Sequence, residues 1–457
     1  MISWRIKMPF IVALAGILVL PVIMLFTFYM IRPPAVLTAI LALRSKWNEH
    51  SMVDAHECTG VWSVPVTAKD SRWTPGFPET SAAYFFLPVT TTHDGRPVRL
   101  DITGDFPVAR FMSLALYDSD SGRLLSSLRD SSINPSVGSE NPFVNELERD
   151  TPDRRYVVRI APSGYYAEHF TNKLTYPKDV THVTLMLRVY NPDDEGNGKK
   201  RDATGGVGLP RVHAYYTDTN GPLPECRSAW RIPRLDGDAR QSLLDAAIEQ
   251  DQSARAGQPF PLYALRSIGS TLFENPHVTY GFSNLSRRLG DVVILRFRAP
   301  TFVKNAGRVK LMEAGPDVRY WSVCLGGLRE TNTIACATDV DVKIDQEGFA
   351  SVAILPADDP KLAVAAAERG IYALNWGTWI TGGYRVILRV MENNKPFAKS
   401  YANVPELKFD GDVINPADLA RFESQKFIGD YGATGTYFTR QQFLEQFTGK
   451  VPAAQLK

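Results

Sequence analysis

At 457 residues, with 44% hydrophobic and 11% aromatic residues, the chain is long enough for two or three domains with full cores. Lysine and arginine (51) nearly balance aspartate and glutamate (49), and the formal charge of +2 excludes the broad basic footprint of a nucleic-acid binder. Glycine (33) and proline (31) supply many turns without a low-complexity composition.

Phe10 to Ile31 is an uncharged run carrying Leu18, Leu20, Ile23, Leu25 and Phe28. About 20 helical residues cross the hydrocarbon core, and membrane helices tolerate a proline such as Pro21. The run is longer than the apolar part of a cleaved signal, about 7–15 residues, so residues 10–31 are expected to be a single transmembrane anchor. Residues 1–9 then form a cytoplasmic N-terminus. Arg5 and Lys7 before the run, and Arg32, Arg44 and Lys46 after it, give the positive-inside rule little to act on.

The four cysteines argue more strongly about orientation. Cys58, Cys226, Cys324 and Cys336 show no metal-ligand spacing, and an even number in an exported chain suggests two disulfides. Cys324 and Cys336 lie in two β-like runs around Gly326-Gly327, which favours a bond clamping a hairpin, and Cys58 with Cys226 would then tie the start of the first domain to its end. Buried free thiols are the alternative. The body is accordingly placed outside the cytoplasm, facing the periplasm or the exterior, with the inner (plasma) membrane holding the anchor.

Residues 32–60 read as a stalk or linker, in which Leu37, Ile40, Leu41 and Leu43 recur at helical spacing. A first β-sandwich domain is expected over 61–235. Val61 to Pro88 mixes aromatics with prolines and reads as edge strands and loops. Arg96 to Ile102, Ala109 to Tyr117, Arg155 to Ile160 and Thr184 to Tyr190 read as strands. In Ala109 to Tyr117, Phe111, Ser113, Ala115 and Tyr117 share one face, and Met112, Leu114 and Leu116 share the other. A linker helix over 236–258 follows, with Leu243, Leu244, Ala247 and Ile248 on one side and Gly257 at its end.

A second sandwich domain, 259–410, repeats the plan. Its strands are Val292 to Arg298, Arg319 to Leu325, Thr333 to Ala337, Ala350 to Leu355 and Tyr384 to Met391. One helix interrupts it, from the Asp359 cap and Pro360 to Gly370. The tail, 411–457, adds helices at Pro416 to Phe427 and Thr439 to Phe447, whose apolar sides would cover a sheet face or edge or dock a partner. The fold class is therefore mainly β: two tandem antiparallel sandwiches of β-sandwich or jelly-roll type, with a few peripheral helices behind one N-terminal membrane helix.

Duplication is visible in the central strands. Ala109-Arg-Phe-Met-Ser-Leu-Ala-Leu-Tyr-Asp118 returns as Val318-Arg-Tyr-Trp-Ser-Val-Cys-Leu325, and Leu187-Arg188-Val189 returns as Leu388-Arg389-Val390. The spacing is 209 residues from Arg110 to Arg319 and 201 from Arg188 to Arg389. Phe111 to Asp118, Leu187 to Pro192 and Gly206 to Pro210 together resemble the domain of unknown function 1214 family. The resemblance implies a β-sandwich and no activity. The second half resembles it through Tyr320 to Val323, Asn375-Trp376 and Leu388 to Val390, but Gly326-Gly327 stands where the Tyr-Asp turn would be.

Catalytic signatures are absent from the chain: it holds no zincin histidine pair, nucleophile elbow, phosphate loop or dinucleotide fingerprint. Asp193, Glu195, Asn197 and Gly198 follow the first positions of a calcium loop, but Thr204 stands where a bidentate glutamate belongs and Lys199, Lys200 and Arg201 oppose a cation. No metal and no cofactor is expected. Arg110, Arg188, Arg319 and Arg389 lie in otherwise apolar runs. With Trp321, Trp376 and Trp379 as stacking platforms they would line a concave sheet face and take anionic or sugar groups, or else pair with carboxylates between strands.

The expected function is a binding or assembly component of an envelope complex, touching lipid through its anchor and a protein partner through its body, with no nucleic acid. The alternative is a glycan- or lipid-acting enzyme with its site across a sheet. Thiol labelling of the unreduced, denatured protein is expected to find no free cysteine, and stoichiometric labelling of all four would remove the disulfide assignment.

Overall fold

A computed structural model describes residues 62–448 apart from 64, 69–75, 145–146, 166–170, 193–200, 224–238, 265–272, 303–315, 330, 378–382, 394–396 and 405–415. The expected anchor and stalk, Cys58, Cys226, Trp379 and the loop at Asp193 lie outside these residues. No described helix is long and apolar enough to cross a membrane.

Strands dominate. In the first half they are β1 (Ala82–Thr90), β2 (Thr92–His93), β3 (Arg96–Asp105), β4 (Ala109–Asp118), β5 (Leu124–Arg129), β6 (Arg155–Pro162), β7 (Lys173–Tyr176), β8 (His182–Pro192) and β9 (Arg211–Tyr216). The second half holds β10 (Phe260–Pro261), β11 (Tyr263–Ala264), β12 (Val278–Leu285), β13 (Val292–Arg298), β14 (Val318–Gly327), β15 (Thr333–Thr338), β16 (Phe349–Leu355), β17 (Tyr372–Asn375), β18 (Tyr384–Asn393) and β19 (Thr434–Phe438).

Each half is a two-sheet sandwich built from period-two alternation. One sheet of the first half runs β1-β8-β4-β5, and the other joins β3 to β2, β6 and β9, with β7 beyond β6. Phe85 and Leu87 of β1, Leu100 and Ile102 of β3, Leu114 of β4 and Val158 of β6 meet in one core between them. The second half repeats the order as β12-β18-β14-β15 against β19-β13-β16-β17. Its core holds Leu295, Trp321, Val323, Val352, Val386 and Leu388. The expected all-antiparallel arrangement is modified in the same place in both halves, because β6 pairs with β7 and β16 with β17 in parallel.

Five α-helices are described: α1 (Ala239–Ala254), α2 (Pro360–Glu368), α3 (Pro416–Leu419), α4 (Gln425–Ile428) and α5 (Arg440–Thr448). Helix α2 is the crossover that a parallel pair requires. Asp359 caps it by accepting the Lys361 N–H at 3.1 Å, and Gly370, at φ 69°, takes the chain out. Phe443 and Phe447 of α5 join Leu362, Ala365 and Ala366 of α2 over Val292, Ile294, Ala353 and Leu355, so the tail covers the outer face of the second sandwich. The tail also departs from a purely helical reading. It supplies β19, which pairs with β13 as β9 pairs with β3. Cys324 and Cys336 stand opposite each other in β14 and β15 and are joined in the expected disulfide.

Candidate functional site

The faces of β4 divide as the sequence pattern says, yet both are buried. Met112, Leu114 and Leu116 point into the first core. Phe111 on the opposite face joins Ala82 and Tyr190 of its own half and Val278, Tyr320 and Met391 of the other in a separate cluster, flanked by Tyr84 and Tyr280. Residues 56–457 form one compact unit, and this seam between the sandwiches is where the strand arginines lie.

The seam is reciprocal. Arg110 Nη1 donates to both carboxylate oxygens of Asp339 at 2.6 Å, while Arg319 donates from Nη1 and Nη2 to Asp130 at 2.8 and 2.9 Å. Asp130 also accepts the Met112 N–H at 2.7 Å, and Asp339 accepts the N–H of Trp321, the counterpart of Met112, at 3.2 Å. All four ionic side chains are 0% exposed. Each arginine of one half thus meets the aspartate that follows the hairpin strand of the other.

Exchanged arms extend the same symmetry. Just before β1, Phe77 donates its N–H to the Thr331 carbonyl at 2.7 Å, and its carbonyl accepts from Arg389. Just before β12, Phe273 donates its N–H to the Gly122 carbonyl at 3.2 Å, and its carbonyl accepts from Arg188 at 2.7 Å. Phe77 and Phe273 share the same left-handed φ of 52°. Where the ring of Phe273 packs on Tyr117 at 5.2 Å, the ring of Phe77 occupies space that any Cβ at Gly326 would enter. Together with the Asn332 carbonyl, which a Cβ there would also meet, this ring requires glycine at 326, where the first half has Tyr117.

Electrostatics are local and strong. Glu79, beyond Phe77, accepts from the Tyr320 hydroxyl at 2.9 Å and from Ser322 Oγ at 2.8 Å, with Arg389 Nε at 3.8 Å. Glu392 accepts from Arg319 at 2.8 Å and Arg129 at 2.9 Å. Burial raises Glu392, but Arg319 and Arg129 hold it below the usual carboxylate range. Burial pushes Asp130 up more than Arg319 pulls it down. Tyr190 and Tyr320 are raised well above their ordinary value by burial, so they act as neutral hydroxyls.

The residues expected to receive a ligand are therefore engaged with the protein. Arg110, Arg188, Arg319 and Arg389 are buried in the seam because each half covers the sheet face on which they stand. Trp321 packs edge-on to Phe297 in the second core, and Trp376, in the same core, donates Nε1 to the Asp291 carbonyl at 2.7 Å. None of these six side chains lines an open concave face. Glu79, Cys324 and Cys336 bring three ligand-type atoms within 4.8 Å, but the sulfurs are bonded to each other and offer a metal no thiolate. Asp130 and Asp339 were not singled out from sequence, although they recur at the same spacing as Arg110 and Arg319.

Comparison with known proteins adds no activity. No protein-family model and no curated protein matches the chain. Solved structures that match include an uncharacterised protein from Burkholderia cenocepacia, 12% identical over 76% of this chain and 82% of that one, with a TM-score of 0.44. Another is a Vibrio parahaemolyticus protein, 11% identical over 70% and 86%, with a TM-score of 0.37.

Arg110→Met is expected to lower the unfolding free energy by about 3–5 kcal/mol, because it leaves the Asp339 carboxylate buried without its partner. Adding Asp339→Leu is expected to recover most of that loss in urea melts. A double variant no more stable than the single would show that the unpaired charge is not the cause.

The seam also carries a pH signature. Burial pushes the His277 imidazole down to about 4. The unfolded chain then takes up this proton first, so the histidine's share of stability is present above about pH 6.5 and lost as pH falls toward 4. Asp339, pushed up to about 6 by burial despite Arg110, acts in the opposite sense. His277→Gln should flatten the acid limb of stability by about 1–3 kcal/mol relative to the parent chain, and superimposable pH profiles would refute this.

Proposed function

We propose that this chain is a binding or assembly component of the cell envelope. Residues 10–31 hold it to the membrane, and a tandem-sandwich body of the kind implied by the domain of unknown function 1214 resemblance works outside the cytoplasm. The observation that carries the reading is the seam. The arginines, carboxylates and tyrosines that would equip a catalytic sheet face hold one half to the other and are closed to solvent. A β-rich body with a disulfide suits an oxidising compartment and an interaction role.

The test is the native mass of the protein extracted in mild detergent, with co-purifying species identified. A mass well above 50.8 kDa plus detergent, with a reproducible second polypeptide, is the expected result. A lone chain or simple homo-oligomer would overturn the reading and direct the search to glycans and lipids.

A further inference from the structure

The two arms of the seam differ in charge, and the duplication turns that difference into an internal control. Glu79 and Asn275 each stand two positions past the arm phenylalanine and open the same turn. The Ala82 N–H donates to the Glu79 carbonyl at 3.3 Å, and the Val278 N–H donates to the Asn275 carbonyl at 3.1 Å. The side chains that receive each arm correspond as well: Ser322 stands opposite Arg389 between β14 and β18, and Ser113 opposite Arg188 between β4 and β8. At the first arm Glu79 accepts from Ser322 Oγ at 2.8 Å and lies 3.8 Å from Arg389 Nε. At the second arm the residue in that place is an amide.

The consequence is a buried cation without a counter-charge. Arg188 is 2% exposed, and its Nη2 donates to neutral acceptors, the Tyr117 hydroxyl and the Phe273 carbonyl, both at 2.7 Å. Among the described residues no carboxylate pairs with it, whereas Arg110, Arg319 and Arg389 each face one. Three buried donors on this row and arm, Arg188 Nη1, Ser113 Oγ and Asn275 Nδ2, have no hydrogen-bond partner. Asn275 Oδ1 accepts the His277 N–H at 3.1 Å, which fixes the orientation of the amide and leaves Nδ2 as a donor. Arg389 Nη1 is likewise unpaired, but the Glu79 charge lies beside that guanidinium. Burying a charge is strongly unfavourable unless it is paired, and an anion would answer both the charge and the donors.

We infer that Arg188, Ser113 and Asn275 form an internal binding site for one small monovalent anion of halide size. The ion does at the second arm what the Glu79 carboxylate does at the first. Burial of all three residues excludes a sugar, a phosphate ester or a peptide, so the ion is a structural ligand enclosed by the seam. The inference goes beyond the assembly role and does not depend on it.

Urea unfolding of the full chain in non-ionic detergent tests this, with sodium bromide replacing sodium gluconate over about 1 to 100 mM at constant ionic strength. Gluconate is too large to be enclosed. The expected result is a midpoint that rises with the logarithm of bromide concentration, as for a ligand that binds only the folded chain. Asn275→Asp keeps the shape of the side chain and supplies the counter-charge from the chain itself, so it is expected to abolish the bromide dependence. Arg188→Gln removes the cation and is expected to abolish it too. A parent midpoint that is the same in bromide and gluconate overturns the proposal, as does an Asn275→Asp variant with the parent's dependence. Neither outcome bears on the co-purification test of the assembly role.

Discussion

The crossed pairing of Arg110 with Asp339 and of Arg319 with Asp130 is the constraint on which the rest of the structure depends. Each pair desolvates two charges completely, so its net contribution to stability is small beside the cost of breaking it. Its larger effect is on register. Only one docking of the two sheets satisfies both arginines, both aspartates and the Met112 and Trp321 amides together, so a slipped arrangement would strand buried charge. The geometry is that of an isologous dimer interface carried within one chain, with each patch meeting its own counterpart.

Departures from the symmetry are as informative as the symmetry. Glu79 stands where the second arm has Asn275, and it faces Tyr320, Ser322 and the disulfide sulfur of Cys324. Gly326 replaces the aromatic that the first half places at Tyr117, because the Asn332 carbonyl and the Phe77 ring occupy the space a side chain would need. On the outside, two helices close one sandwich over an apolar face, whereas the corresponding strand of the other turns Arg99, Asp101 and Thr103 outward. The crossed arginine–aspartate pairs keep the common plan, while the arms of the seam and the outer faces both diverge.

Much of the fold was legible because it rests on short-range pattern. The alternation in β4, the Asp359–Pro360 start of α2 and the hairpin cysteines each encode their structure within a dozen residues. β1 was partly legible: its aromatics and Pro88 lie in a stretch that read as edge strands and loops, and it is an edge strand, paired with β8 along its whole length. The arms at Phe77 and Phe273 were not legible at all. Their role comes from carbonyls meeting arginines more than 80 residues away in sequence, a relation no local periodicity records.

By itself the sequence determined the mainly-β class, the duplication, the Cys324–Cys336 bond and the inward and outward faces of the central strands, because side-chain period and repeated spacing are properties of the chain alone. It also placed arginines in apolar strands, which forces a choice between an open ligand face and a buried partner. Tertiary structure decided that choice. The free energy of a guanidinium depends on what desolvates and pairs it, and here the pairing aspartates come from the opposite half.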